Sequence, residues 1–328
     1  MGIVANPASG KDIRRLVAFG SVFDNQEKVR IVRRVLLGLA AVGVERICFM
    51  PDYFGIVLRA AENLKLKSPL FPLNFKATAT QEDSTTAGRI MAERGVDCIV
   101  TLGGDGTNRA VAKGATSVPL LPISSGTNNV FPKMVEGTIA GLAAGLVAQK
   151  RVPLEEAAVF STMLEVLLDG RVVDIALVDA VVYDDPFIGS RAVWDMDKVR
   201  QIFLNRAEPD SIGLSAIGGL IHPVRPEEPY GLSLVLGHPG RRVTAPVAPG
   251  MIKTVSLASQ KVMGLNEAVE VIARPSVLAL DGEREVEVRE DQTAAVRLKK
   301  DGPIIVDVRR TMTSAMKRGV LAPESPEV

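Results

Sequence analysis

The chain has 328 residues, of which 47% are apolar and 23% charged, as expected of an ordinary globular protein long enough for two domains and a large core. Its 39 Lys+Arg and 38 Asp+Glu leave a net charge of +1, so no broad positive field exists to attract a nucleic acid. Aromatic residues at 4% also exclude stacking platforms for single strands.

Residues 2–6 read as an opening strand, with no basic segment and long apolar run to suggest secretion. The strand leads into Asn6-Pro7-Ala8-Ser9-Gly10-Lys11. This stretch lacks the first glycine of a P-loop and has Asp12 where a serine or threonine would hold magnesium. Asn6 and Ser9 are nonetheless candidates to contact a nucleotide. Asp24 caps a predicted helix, with Glu27 as its box partner and Val29, Val32, Leu36 and Leu39 as its apolar stripe. A strand over 46–50, a helix over 56–63 and a strand end at 74–77 follow. Thr80 is placed to cap the helix carrying Ala87, Ile90 and Met91, and Gly95 to stop it. Cys48 and Cys98, the only cysteines, each sit in an apolar run and read as reduced core residues of a cytoplasmic protein.

Residues 96–102 form the cleanest strand, apolar almost throughout, and 118–123 the next. This βαβα rhythm predicts an α/β fold whose N-terminal open parallel sheet carries helices on both faces. The apolar stretch Gly137–Ala148 is too short to span a bilayer, so no integral membrane association is expected. After about residue 150 strands dominate: 160–168 and 171–183 joined at Asp169-Gly170, then 230–236, 243–247, 252–257, 268–272, 277–280, 284–288 and 293–298. Only 196–203 suggests a helix there. A mostly antiparallel β-rich C-terminal domain follows, giving a division into 1–150, 151–300 and a strand-helix return with a frayed tail at 301–328. His222 and His238 have no carboxylate at ligand spacing, so no zinc site is expected.

Two small polar loops follow adjacent predicted strands and therefore share one sheet edge. In the first, Gly103, Gly104, Gly106 and Thr107 surround Asp105. Glycines let backbone approach a phosphate, and the helix that follows adds N–H groups. A carboxylate would repel that phosphate, so Asp105 either holds a magnesium ion, takes a proton from an attacking hydroxyl, or merely caps the helix. The second loop is Ser124-Ser125-Gly126-Thr127-Asn128-Asn129, whose residues from Gly126 to Asn129 are candidate ligand contacts. No GxGxxG follows the first strand, which argues against a dehydrogenase.

The order NPxSGK, GGDGT, SGTNN resembles the superfamily of NAD kinases and of diacylglycerol and sphingosine kinases. With the tract ERGVDCIVTLGGDGTNRAVAKG and the later GSRAVWD, most of the chain resembles the ATP-NAD kinase family, in the branch that includes the acetoin-catabolism X protein. The resemblance implies an α/β domain and a β-rich domain with the active site between them. It also implies phosphoryl transfer from ATP or polyphosphate, with Mg2+, to the adenosine-ribose 2′-hydroxyl of NAD. Asp105 matches the general base, and small nucleotides and a homo-oligomeric partner are implied.

Two departures stand out. The Asn-Glu pair of NAD kinases has its best match in Val178-Asp179, where the acid is one carbon shorter and the amide is gone. SGTNN is closer to the lipid-kinase loop, and Leu280-Asp281-Gly282-Glu283 resembles the lipid-kinase DGE element, with Asp281 and Glu283 as the acids. Turn chemistry alone also explains Asp281-Gly282 as a hairpin. Arg109 and Lys113, one helical turn apart, either neutralise donor phosphates or face solvent. A lipid kinase and a catalytically inactive nucleotide-binding regulator therefore stand beside the NAD kinase reading. The basic pairs Arg241-Arg242 and Lys299-Lys300 are too short for a membrane patch, which counts against the lipid.

Overall fold

A computed structural model describes residues 1–10, 19–21, 23–115, 117–185 and 195–322. Lys11, Asp12, the stretch 189–194 and the tail beyond 322 lie outside the described residues. The first layer is a seven-stranded sheet ordered β3-β2-β1-β4-β5-β17-β6. Its strands are β1 (Gly2–Ala5), β2 (Ile47–Phe49), β3 (Leu70–Pro72), β4 (Ile99–Gly103), β5 (Leu120–Ser124), β6 (Ala158–Phe160) and β17 (Ile304–Val306). All pairings are parallel except that of β6 with β17. β1, β4 and β5 are buried at every position, which explains their unbroken apolar character.

Alternate side chains of β1 face opposite helical layers, as the two-residue period requires. Ile3 and Ala5 pack against α1 (Asn25–Ala41), α2 (Ile56–Ala61) and α5 (Gly137–Ala148). Val4 packs against α3 (Glu82–Glu93) and α4 (Asp105–Ala115). The small residues of α5 serve this packing: a β-carbon on Gly141 would collide with the Val35 carbonyl oxygen of α1. Among the described residues no helix is long and apolar enough to cross a membrane. The chain returns to this layer late, when β17 pairs with β5 and α6 (Val308–Lys317) begins, capped by Asp307.

Between these visits it builds two antiparallel sheets. One is ordered β13-β16-β7-β8 and the other β12-β11-β10-β9-β14-β15. Their strands are β7 (Met163–Leu168), β8 (Arg171–Ala176), β9 (Asp179–Tyr183), β10 (Val199–Leu204), β11 (Tyr230–Ala248), β12 (Met251–Gly264), β13 (Ala268–Glu270), β14 (Ser276–Leu280), β15 (Glu283–Val288) and β16 (Ala294–Lys299). Leu164, Val166, Val296 and Leu298 of the first sheet share a core with Val182, Phe203, Leu278 and Leu280 of the second. The fold is thus α/β with a mostly parallel amino-terminal sheet and antiparallel sheets after it. The turn at Asp169-Gly170 takes positive φ at both residues, and so does Asp281-Gly282, as type I′ hairpins require.

Several local expectations are corrected. The strand placed at 74–77 lies at Leu70–Pro72, a largely exposed edge of three residues that follows Pro69 and ends on a second proline. Thr80 does not cap α3: its hydroxyl bonds to that of Thr78, while the Asp83 carboxylate receives the Thr78 and Ala79 N–H groups. Asp24 caps α1 through the Glu27 N–H, but the Glu27 carboxylate pairs with Arg30 and Arg34. Residues 171–183 are no single strand, because the chain leaves one sheet at Leu177-Val178 and enters the other. The helix over 196–203 is a 3₁₀ turn followed by β10, whose side chains are buried on both faces and so lose strand alternation.

Gly141→Leu is expected to destabilise the protein by about 1–3 kcal/mol, since α1 and α5 must separate to admit the side chain. Urea denaturation of the variant against the parent measures this.

Candidate active site

β4 ends at Gly103, and α4 begins two residues later with Asp105 in its first turn. The turn is locked from within. The Thr101 hydroxyl donates to Asn108 Oδ1, and Asn108 Nδ2 donates to the Gly104 carbonyl. Thr107 packs so closely over Gly103 that a β-carbon there would stand 2.5 Å from its own Cβ. A β-carbon on Gly104 would meet Asn129 Oδ1 at 2.8 Å. These glycines are required by close approach.

The Asp105 carboxylate is held by the segment just beyond the second polar loop. Oδ1 accepts the Phe131 N–H at 2.8 Å, and both oxygens stand 3.1 Å from the Val130 nitrogen. The acid therefore ties the β4–α4 turn to the chain that follows β5. Within the second loop, the Ser124 hydroxyl donates to the Gly126 carbonyl and receives Asn129 Nδ2. Thr127 is exposed and accepts the Ser21 N–H. The Oδ1 of Asn128 is buried without a hydrogen-bond partner.

The opening loop reaches the same place. Asn6 Nδ2 donates to the Thr107 hydroxyl at 2.9 Å, and Ser125 donates to Ser9 at 2.9 Å. Beneath it, the buried Lys28 ammonium donates to the carbonyls of Asn6, Pro7 and Ser9 and to Asn25 Oδ1. Lys28 was missed in the sequence because it sits beside the apolar stripe of α1, where a lysine ordinarily points to solvent.

These loops, the start of α3 and the β14–β15 turn enclose a cleft of about 800 Å³. Every sequence-predicted site residue lines it except Gly103, which underlies the turn, and Asp179, which lines a smaller neighbouring cavity. Residues not foreseen also line it, among them Asp52, Gln81, Glu82, Asp83 and Glu285. Gln81 joins α3 to the glycine turn by donating to the Gly106 carbonyl at 3.0 Å. Burial pushes the Asp52 carboxyl up, against the N–H bonds it accepts from Ile56 and Phe54. Among the described residues the lining contains seven carboxylates and no Lys, Arg or His side chain.

Arg109 and Lys113 do not face that space. Arg109 is fully buried and meets Glu285 at 3.0 Å, Asp174 at 3.3 Å and Asp281 at 3.6 Å, while Lys113 pairs with Asp174 at 2.6 Å. Burial opposes the Arg109 charge, but Asp281, Asp174 and Glu285 outweigh it and raise the pKa. Both cations are drawn under α4 because β8 and the β14–β15 turn present acids there. Asp281 also accepts the N–H groups of Leu177, Val178 and Asp179, where the chain changes sheets. Burial pushes the Asp281 carboxyl up to about 6, with Arg109 and these N–H bonds pulling the other way. Although Asp281 stands on the cleft rim, its carboxylate faces structural partners. Among the described residues no three His, Cys, Asp or Glu side chains group as a metal site.

Comparison with known proteins agrees with the two-part architecture. Residues 1–151 match the family model of the ATP-NAD kinase N-terminal domain, and residues 162–301 that of the acetoin catabolism protein X C-terminal domain. The chain is 39% identical to acetoin catabolism protein X of Cupriavidus necator, covering 96% of this chain and 92% of that one. It is 22% identical to the NAD kinase of Methanosarcina barkeri over 80% of this chain and 91% of the other. Among solved structures, yeast NADH kinase complexed with NADH is similar at 14% identity and a TM-score of 0.49, covering 100% of this chain and 89% of that one. A diacylglycerol kinase from Bacillus anthracis gives 14% and 0.47, with 93% and 95% covered. The chain belongs to the acetoin catabolism protein X family, and its amino-terminal domain is NAD kinase-like.

The Asp281 environment sets a pH dependence. Its folded pKa of about 6 lies above the ordinary aspartate value of 3.8, so the folded state holds the extra proton between them. The resulting stability is complete below 3.8 and is lost as the pH rises through about 6. Urea midpoints measured across this window should fall with pH in the parent and flatten in Asp281→Asn.

Proposed function

We propose that this member of the acetoin catabolism protein X family is a NAD kinase-like phosphotransferase. It moves a phosphoryl group from ATP or polyphosphate to the adenosine-ribose 2′-hydroxyl of NAD. The observation that carries the reading is Asp105, fixed by the Val130 and Phe131 N–H groups at the head of α4 and facing a cleft of nucleotide size. The similarity to a NAD kinase along most of the chain supports it.

In this reading Asp105 orients the acceptor hydroxyl and takes its proton as the oxygen attacks phosphorus. The N–H groups at the start of α4, with the Gly126–Asn128 backbone, meet the charge that spreads over the transferred group. The Asn6–Ser9 loop, braced by Lys28, walls the nucleotide on one side and Gln81 on another. The acid-rich lining fits a donor that brings its own cation, which Asp105 and Glu283 would hold. Magnesium so bound offsets the donor's negative charge. The carboxylates and the Ser, Thr and Asn side chains lining the cleft favour a nucleotide over a diacylglycerol.

One observation favours a second reading, a nucleotide-binding regulator without turnover. Arg109 and Lys113, the cations nearest the glycine turn in sequence, are both consumed in ion pairs. The two readings separate when the pure protein is incubated with magnesium, a phosphate donor, and NAD, NADH or diacylglycerol. Phosphate should pass to NAD. Asp105→Asn should lower the turnover by roughly 10²–10⁴-fold with NAD binding retained by calorimetry. Transfer to lipid alone refutes NAD as acceptor; binding without transfer establishes the regulator.

A further inference from the structure

Asp105 borders two cavities. Beside the large cleft lies a chamber of about 40 Å³, and Asp105, Asn128 and Asp281 line both. Asp179 adds a third carboxylate, and the remaining wall is mainly apolar, supplied by Val130, Met196, Ile212, Leu214, Val247 and Met251. At its polar end Asn128 Oδ1 is buried and lacks a hydrogen-bond partner, a state that a donor on a ligand would relieve.

The volume is decisive. A water centre needs roughly 10–15 Å³, so the chamber takes about three such centres, or a compound of about three to five non-hydrogen atoms. A nucleobase does not fit. Glycerol, with six non-hydrogen atoms, exceeds that size. The polar groups of the wall, Asn128 Oδ1 and the carboxylates of Asp105, Asp179 and Asp281, all accept hydrogen bonds, and the remainder is apolar, so the lining suits a small compound that has one hydroxyl to donate and a short hydrocarbon skeleton.

We propose that this chamber binds a short-chain alcohol, with its hydroxyl toward Asn128 and Asp105, as a second acceptor. Binding stands on the cavity alone, whereas transfer rests on the phosphotransferase reading above. In the transfer step, the hydroxyl oxygen forms a bond to the terminal phosphorus of ATP or polyphosphate in the large cleft. The bond from that phosphorus to the bridging oxygen breaks, its electron pair leaves with ADP or the shortened polyphosphate, and the hydroxyl proton passes to Asp105.

The test uses the full chain with 1-propanol as probe and glycerol and 1-octanol as controls, read by saturation-transfer NMR. Propanol should show binding and the controls none. Met251→Trp and Ala248→Leu, two independent ways of filling the chamber, should each weaken binding about tenfold or more, with thermal unfolding confirming the fold. Absence of a propanol signal in the parent overturns the proposal, as does a signal indifferent to both substitutions. With magnesium and donor added, ³¹P NMR should then show propyl phosphate. Phosphate gained by NAD but never by bound propanol overturns the acceptor role and spares the NAD kinase reading. Phosphate gained by neither, with propanol bound, overturns both transfers and leaves only the binding site.

Discussion

A single buried guanidinium sets the relation between the glycine turn and the antiparallel sheets. Arg109 leaves α4 one turn after Asp105 and meets acids from β8, from the end of β14 and from β15. Charges taken out of water cost several kcal/mol each unless they are paired. The acids are therefore held to one arrangement, and α4 cannot slide along the sheets without exposing an unpaired charge. Asp281 extends this constraint: the carboxylate paired with Arg109 also receives the N–H groups of the segment where β8 gives way to β9. The floor of the cleft and the crossover between the antiparallel sheets are thus one unit.

Upon that unit the cleft is assembled by short polar bonds between segments far apart in sequence. Asp105 binds the N–H groups beyond the second loop, Asn6 binds Thr107, Ser125 binds Ser9, and Gln81 binds the Gly106 carbonyl. Each bond alone contributes about 0.5–1.5 kcal/mol. Their common effect is to hold the strand ends of the parallel sheet at fixed separations, which a site for in-line transfer needs more than it needs stability.

The parallel layer was legible because its central strands are covered on both faces and so read as continuous apolar runs. β3 escapes such a reading because its three residues stand between Pro69 and Pro72, which mark a loop or an edge. β10 resembles a helix in sequence because burial on both faces erases the alternation that marks a half-exposed strand. The glycine turn and the SGTNN loop announced a shared edge, since parallel strands deliver their following loops to one side. Side chains brought in by tertiary packing were invisible: Asp52, Glu82 and Asp83 approach from elements with no motif of their own, and Lys28 hides among charged neighbours. Arg109 shows the reverse error. Its spacing from Lys113 was read correctly as one helix face, but only the strands opposite that face decide whether it meets ligand or protein.

The fate of those two cations also bears on how charge is handled in the cleft. A transferred phosphoryl group spreads negative charge over its oxygens, and many phosphotransferases answer it with a lysine or arginine. Here the described lining offers carboxylates instead, while Arg109 and Lys113 neutralise structural acids beneath α4. In the proposed reaction, compensation falls to backbone N–H groups, which are fixed by the turn and cost no reorganisation when the charge develops. It falls also to whatever cation travels with the donor.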